Sequence, residues 1–239
     1  MSAWKAKRFW KEVSVQTLDG GFGIQLDARP VRTPAKALMV VPTRAMAEAI
    51  ADEWRAVDKD IDPRKMPVTR AANAAIDKVA PQFDEVADLI AAYGASDLLC
   101  YRAVGRAEMV AAQAAAWDPM LDWAARRFEA PLNVTSGVAP IDQPADSVRR
   151  LSAQVHACDN FQLTALYDLV SLSGSLVLGL AMTSGEFLPE TLWTLSRFDE
   201  DWQSREWGED EEASAIAERK REDFLRACYF WAISTPDRE

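Results

Sequence analysis

The stretch LDGGFGIQLD, Leu18–Asp27, decides how the first part of the chain folds. Its glycines, Gly20, Gly21 and Gly23, raise the possibility of a phosphate-binding loop, which must lead from a strand into a helix whose free amides face the anion. The residues after them alternate instead, with Ile24 and Leu26 apolar around Gln25, and so continue as strand. The glycines therefore read as a hairpin reversal with residues at positive φ.

Working outward, FWKEVSVQTL before the hairpin partly alternates, ARP after it turns, and LMVVP ends at Pro42. This is a small antiparallel unit. At Thr43, a candidate helix cap, the period changes: Met46, Ala49, Ile50, Trp54 and Val57 recur at helical spacing. After the polar, proline-punctuated DKDIDPRKMP, nearly everything reads as helix. One helix runs from about Val68 to Val79, and another through FDEVADLIAAYGA. In a third, WDP (Trp117–Pro119) predicts a break, with Asp118 capping a restarted helix. PLNVTSGVAPIDQP is a loop, followed by a helix to about His156. NFQLTALYDLVSLSGSLVLGLAM is apolar on nearly all sides and reads as a central buried helix or helix pair, with Gly174 and Gly179 allowing a break or close packing. The expected class is α+β: a β-rich amino-terminal domain over 1–80 and an α-helical domain over 81–239.

About half of the 239 residues are hydrophobic, including 9 Trp and 9 Phe, so a sizeable core can be buried. The net charge is −10, divided as +4 over residues 1–70 and −14 over the rest. Overall acidity argues against nonspecific nucleic-acid binding, with the basic start, Lys5, Lys7, Arg8 and Lys11, as a local exception. Cys100, Cys158 and Cys228 lie far apart and in odd number, which fits reduced thiols in a cytosol-like compartment. The basic residues near the start are followed by no apolar run, so a secretory signal is not expected. The longest apolar run, LVSLSGSLVLGLAM, is broken by serines and glycines and falls short of the roughly 20 residues a spanning helix needs, so no membrane insertion is expected.

Chemistry-bearing patterns are few. His156 is the single histidine, near Cys158 and Asp159, and one His with dispersed cysteines does not make a zinc site. A Cys–His nucleophilic pair has no local signature. The serious candidate is SRFDEDWQSREWGEDEEA, Ser196–Ala213. Its second acidic group, Glu209–Glu212, reads as the opening of a last helix, with Gly208 as a stop and Asp210 as the cap. That helix is expected to present Ala213, Ile216, Ala217, Lys220, Phe224, Ala227, Cys228 and Trp231 along one side. The first group, Asp199, Glu200 and Asp201 beside Trp202, reads as lying towards the end of the helix that holds Leu192 and Leu195. Negative charge is unfavourable there, which leaves a solvated face or a partner site. An EF-hand's ligand spacing is missing.

Several fragments together resemble one family. RFWKEVSV, GFGIQLDARPVRTPAK, ADEW, MPVTRAANAAID, SDLLCYRA, WDPMLDWA, SGSLVLGLA and SRFDEDWQSREWG run in order from residue 8 to residue 208. Together they resemble the chaperones that assemble the catalytic head of F-type ATP synthase by binding its free alpha subunit. The resemblance implies a small β-rich domain before a helical one, and a non-catalytic protein without a cofactor. Such a protein shields the alpha subunit from aggregation until beta subunits replace it. It also implies a functional acid within FDEDWQ, carried to Asp199 or Glu200 with the weight towards Glu200. Asp199, Glu200, Asp201 and Trp202 are thus the expected partner-binding residues, and Trp54 of ADEW is expected to be a core anchor. A monomer in a bacterial cytoplasm is favoured over a processed mitochondrial matrix protein. The alternative is a divalent-cation-dependent hydrolase using the carboxylates of Asp199–Asp201; nucleic-acid binding by the basic start is a weaker third.

Overall fold

Gly20 and Gly21 close the hairpin in the computed structural model, which describes residues 7–208 and 210–236. Strands β1 (Val13–Leu18) and β2 (Gly21–Leu26) pair antiparallel from Leu18↔Gly21 to Val13↔Leu26. Gly20 has φ 82° and Gly21 φ 149°, and a Cβ on Gly21 would run into the Val41 carbonyl. Only glycine lets the neighbouring strand come that close. On the other edge of β2 lie β3 (Arg29–Pro30), through Gln25↔Pro30, and β4 (Val40–Val41), through Phe22↔Val41.

The expected cap is in place: Thr43 Oγ1 accepts the Met46 amide at 3.1 Å and starts α1 (Arg44–Arg55). Met46, Ala47, Ile50 and Ala51 are fully buried with Ile24, Leu26, Val31, Met39 and Val41 of the sheet. Each large side chain removed from water there contributes about 1.5–3 kcal/mol. Trp54 packs edge-on against the buried Trp10, ring centroids 5.2 Å apart. Glu53 accepts the amides of Val68 (2.7 Å) and Thr69 (2.8 Å), supplying from another helix the acceptors that the start of α2 (Pro67–Ala74) lacks. A π turn, Ala75–Val79, and a 3-10 turn, Ala80–Gln82, lead to α3 (Phe83–Ala91).

The chain divides into two units. The first is the stretch up to Phe83, joined by Asn160–Ala165 and the stretch from Tyr229. Its core is completed by Phe161, Ala165 and Phe230 from those later segments. The second unit holds Asp84–Asp159 and Leu166–Cys228 and is mainly helical. Its elements begin with β5 (Tyr101–Arg102), α4 (Ala107–Phe128), β6 (Thr135–Ser136) and α5 (Ala145–His156). They continue with α6 (Asn160–Ser173, shared with the first unit), α7 (Leu176–Ser184), α8 (Pro189–Ser196), α9 (Phe198–Trp207) and α10 (Glu211–Ser234, also shared). The fold is α+β, a small β-rich part first and a mainly helical part after it.

The buried apolar run is a helix pair, as its glycines suggest. Gly174, at φ 72°, ends α6, and Ser175 Oγ accepts the Leu178 amide at 3.0 Å to start α7. A Cβ on Gly179 would stand 2.6 Å from Val170 Cγ2, so the two helices pack at glycine distance. Asp97, fully buried, ties this start to another: its Oδ1 accepts the Leu99 amide (3.0 Å) and its Oδ2 the Val177 amide (2.9 Å). Burial pushes its carboxyl up, and the amide donors oppose that.

Three sequence readings need correction. WDP does not break its helix, because α4 runs through Pro119 without interruption. An internal proline costs about 3 kcal/mol, but Trp117, Met120, Leu121, Trp123 and Ala124 are all buried around it and outweigh that cost. Asp118, expected as a cap, instead pairs with Arg102 at 2.7 Å. The first half of α10 is exposed through Ala213 and Ile216, and full burial begins only at Phe224. Third, Asp199–Asp201 lie at the start of a helix rather than at the end of one.

Candidate functional site

Asp199, Glu200 and Asp201 do not close the helix of Leu192 and Leu195; they form the first turn of a separate one. The chain leaves helical geometry at Arg197 (φ −102°, ψ 6°), without glycine or proline, and α9 starts at Phe198. No side chain caps that start. Its free amide ends therefore favour acids in the first turn, each by about 0.3–1 kcal/mol. The charge that looked misplaced on the sequence is well placed in the fold.

The three acids have different surroundings. Asp199 is half-buried, and its Oδ1 accepts from Gln113 Nε2 at 2.6 Å. Burial pushes its carboxyl up and the charge of Glu200 adds to this, while the Gln113 bond and Arg102 act the other way. Glu200 is exposed and pairs with Arg197 at 2.9 Å. Asp201 is partly exposed; its amide closes the first helical turn onto the Arg197 carbonyl at 2.9 Å, and its own carbonyl accepts from Arg205. Trp202 stacks on Phe198, centroids 6.0 Å apart, and Phe198 meets Trp117 edge-on at 6.1 Å.

Residues that the sequence reading passed over hold this turn. Gln113, fully buried on α4, donates to Asp199 and accepts the Ala103 amide at 2.8 Å. Trp117, one turn further along, donates from Nε1 to the Leu195 carbonyl at 2.9 Å. Arg102, almost fully buried, donates to the Leu99 carbonyl at 2.8 Å and lies over the Trp117 ring. At the far end of α9, Arg106 pairs with Glu206. The available signal was a lone polar residue, Gln113, four positions before Trp117 within AAQAAAW; a glutamine on an apolar face asks for a buried partner.

The carboxylates do not converge, since Asp199 faces Gln113 and Glu200 faces Arg197. Among the described residues, no three His, Cys, Asp or Glu side chains are grouped to hold a metal ion. The hydrolase alternative finds no geometric support here. His156 lies against Asp88, Nε2 to Oδ1 3.0 Å, and burial pushes the Cys158 thiol up to about 12, far from a thiolate nucleophile at neutral pH. The second acidic group behaves as read from Asp210 onward, whose Oδ1 accepts the Glu212 amide at 2.8 Å. Glu209 and Lys5 lie outside the described residues. No described helix is long and apolar enough to cross a membrane.

Comparison with known proteins agrees with this architecture. Residues 7–125 match the ATP12 chaperone protein family. The crystal structure of Atp12 from Paracoccus denitrificans shares 48% identity with this chain, covering 98% of it and 100% of its own length at a TM-score of 0.95. An Asp-to-Lys mutant of the same Paracoccus protein matches equally well. A candidate chaperone of Agrobacterium tumefaciens is 39% identical, covering 96% of this chain and 86% of its own, at a TM-score of 0.90. The mitochondrial protein atp12 of Schizosaccharomyces pombe is 24% identical over 222 residues, 88% of this chain and 76% of its own. By class, then, this is an assembly chaperone. The chain belongs to the ATP12 family, which serves the assembly of ATP synthase.

Proposed function

We propose that the protein captures the free alpha subunit of the ATP synthase catalytic head through the first turn of α9, covers a surface that would otherwise aggregate, and releases it as beta subunits arrive. It works without catalysis or cofactor, as a monomer, in a bacterial cytoplasm; the bacterial relatives at 48% and 39% identity support that compartment over a mitochondrial one. The observation that carries the reading is the division of labour among the three acids. Asp199 is engaged by Gln113 inside the fold, while Glu200 is exposed and Asp201 partly exposed, next in sequence to Trp202. Carboxylates reachable from solvent on a helical turn, one of them able to exchange its Arg197 partner for a client cation, suit a basic client surface, where charge complementarity speeds encounter and selects the partner.

The test is double charge reversal, Glu200→Lys with Asp201→Lys, leaving Asp199 untouched because its substitution would also disturb the Gln113 bond. Capture of isolated alpha subunit should weaken by about tenfold or more, and its salt dependence should flatten. Thermal unfolding should fall modestly, because each acid in the first turn of α9 contributes about 0.3–1 kcal/mol and Glu200 gives up its pair with Arg197, so capture is compared at a temperature where both proteins are folded. Wild-type affinity in the folded double variant, or equal capture of alpha and beta subunits, would remove the proposal.

A further inference from the structure

We propose that Arg197 is a built-in competitor for the client: its tethered guanidinium occupies Glu200 in the free protein, is displaced when a client cation binds, and pairs with Glu200 again on release. The inference rests on the reading of α9 just given and adds the residue that sets how tightly, and how reversibly, the acidic turn holds its partner.

Arg197 stands at a position that helix physics does not favour for it. It precedes the first residue of α9, and no side chain caps that start. Asn, Asp, Ser and Thr suit such a position because their short side chains accept the free amides, whereas a cation there works against the helix dipole. The stability of α9 therefore does not account for an arginine. Its side chain has a different task. Nη1 donates to Glu200 Oε1 at 2.9 Å, three positions on, with the arginine side chain 21% exposed and that of the glutamate 52%.

The backbone holds this arrangement ready. The Arg197 amide donates to the Trp193 carbonyl at 3.2 Å and so ends α8, while its carbonyl accepts the Asp201 amide at 2.9 Å and so begins α9. Both helices fix the point from which the side chain departs. A cation tethered in this way cannot be diluted away, so a client cation meets Glu200 already occupied. The hydrogen bond runs to Oε1 from a single nitrogen. A client guanidinium that engages both carboxylate oxygens binds more strongly and takes its place. When the client leaves, Arg197 returns and Glu200 is not left without a partner.

The neighbouring charges do not duplicate this role. From Arg197 to Arg205 the chain carries two cations and three acids, a net charge of −1. Asp199 is held by Gln113. Arg205 donates from Nε to the Asp201 carbonyl at 3.2 Å, not to a carboxylate. Among the described residues, Arg197 is the cation of this stretch that is ion-paired with one of its acids.

The experiment measures capture of purified, isolated alpha subunit by the full chain at low ionic strength and at a temperature where every variant is folded. Arg197→Gln should bind about threefold more tightly, the size of a partly exposed ion pair. Arg205→Gln removes the same charge without freeing a carboxylate, and its gain should be clearly smaller. Arg197→Lys restores a tethered cation and should bring affinity back towards wild type. In a Glu200→Gln background the gain from Arg197→Gln should disappear. Equal gains from Arg197→Gln and Arg205→Gln, a gain that persists in the Glu200→Gln background, the same gain from lysine as from glutamine, or no gain at all would each overturn the competitor. The acidic turn still stands in those cases if Glu200→Lys with Asp201→Lys weakens capture. Unchanged capture in that lysine pair brings down both readings. Should Arg197→Gln fail to fold, Arg197→Asn, whose short side chain can cap α9, takes its place under the same criteria.

Discussion

Replacing Gln113 tests whether the acidic turn is held from beneath. In Gln113→Leu the Ala103 amide loses its acceptor and Asp199 loses a 2.6 Å donor. An unpaired, partly buried amide costs about 1–3 kcal/mol, and the low end applies because Ala103 is only partly enclosed. A hydrogen bond to a charged group is worth about 1.5–3 kcal/mol, reduced to roughly 1 kcal/mol because Asp199 keeps contact with water. The sum is about 2 kcal/mol, a noticeable share of a typical folding stability of about 5–15 kcal/mol. Urea unfolding followed by circular dichroism measures it directly. Gln113→Glu sharpens the test, because the new carboxylate still accepts from Ala103 but faces Asp199 with like charge. Both acids would then have folded pKa values raised above their unfolded ones, so the penalty is present at neutral pH and is relieved as pH falls through the raised values. Stability of the glutamate variant should therefore approach wild type on acidification, while the leucine variant should recover only the part owed to Asp199, because its Ala103 amide stays unpaired at every pH. If both stay within about 0.5 kcal/mol of wild type at neutral pH, or if the glutamate penalty is insensitive to pH, the account of Gln113 is wrong.

Other consequences can be measured in the same way. Gly179→Ala puts a methyl group 2.6 Å from Val170 Cγ2, which should cost about 1–3 kcal/mol by overpacking; a variant as stable as wild type would mean that α6 and α7 can move apart freely. Asp97→Ala strips the acceptors from the Leu99 and Val177 amides and should cost about 2–4 kcal/mol in thermal unfolding, less any gain from removing a buried charge. Asp199→Asn keeps an acceptor for Gln113 but cannot titrate. Since the carboxyl of Asp199 is raised in the fold, its ionised form weakens wild type at neutral pH, and wild type should gain on the asparagine variant as pH falls through that raised value. A stability difference that does not change between neutral pH and the ordinary carboxylate range would contradict this.

What the sequence made legible was local. The hairpin came from three glycines and the alternation after them, the start of α1 from Thr43, the start of α10 from Asp210, and the break between α6 and α7 from Gly174. In each case the group responsible sits within a few residues of its effect. What escaped was tertiary. Pro119 fails to break α4 because buried neighbours from other turns hold the helix together. The boundary at Arg197 carries no glycine or proline, so the acids after it were assigned to the wrong end of a helix. Gln113 meets Asp199 across 86 positions of chain, and no periodicity connects them. The exposed start of α10 kept an apolar spacing that the fold does not use.

The hydrophobic centre around Trp10 and Met46 carries a consequence for biosynthesis. Phe161, Ala165 and Phe230 belong to it, so during translation the amino-terminal strands and α1 wait for residues made much later. A ribosome that has just released the hairpin has produced the hairpin's sequence without its finished interior. The first unit can settle fully only when synthesis has passed Phe230. The first unit therefore closes its interior late, and a chain stalled before that point would itself present unsealed apolar surface.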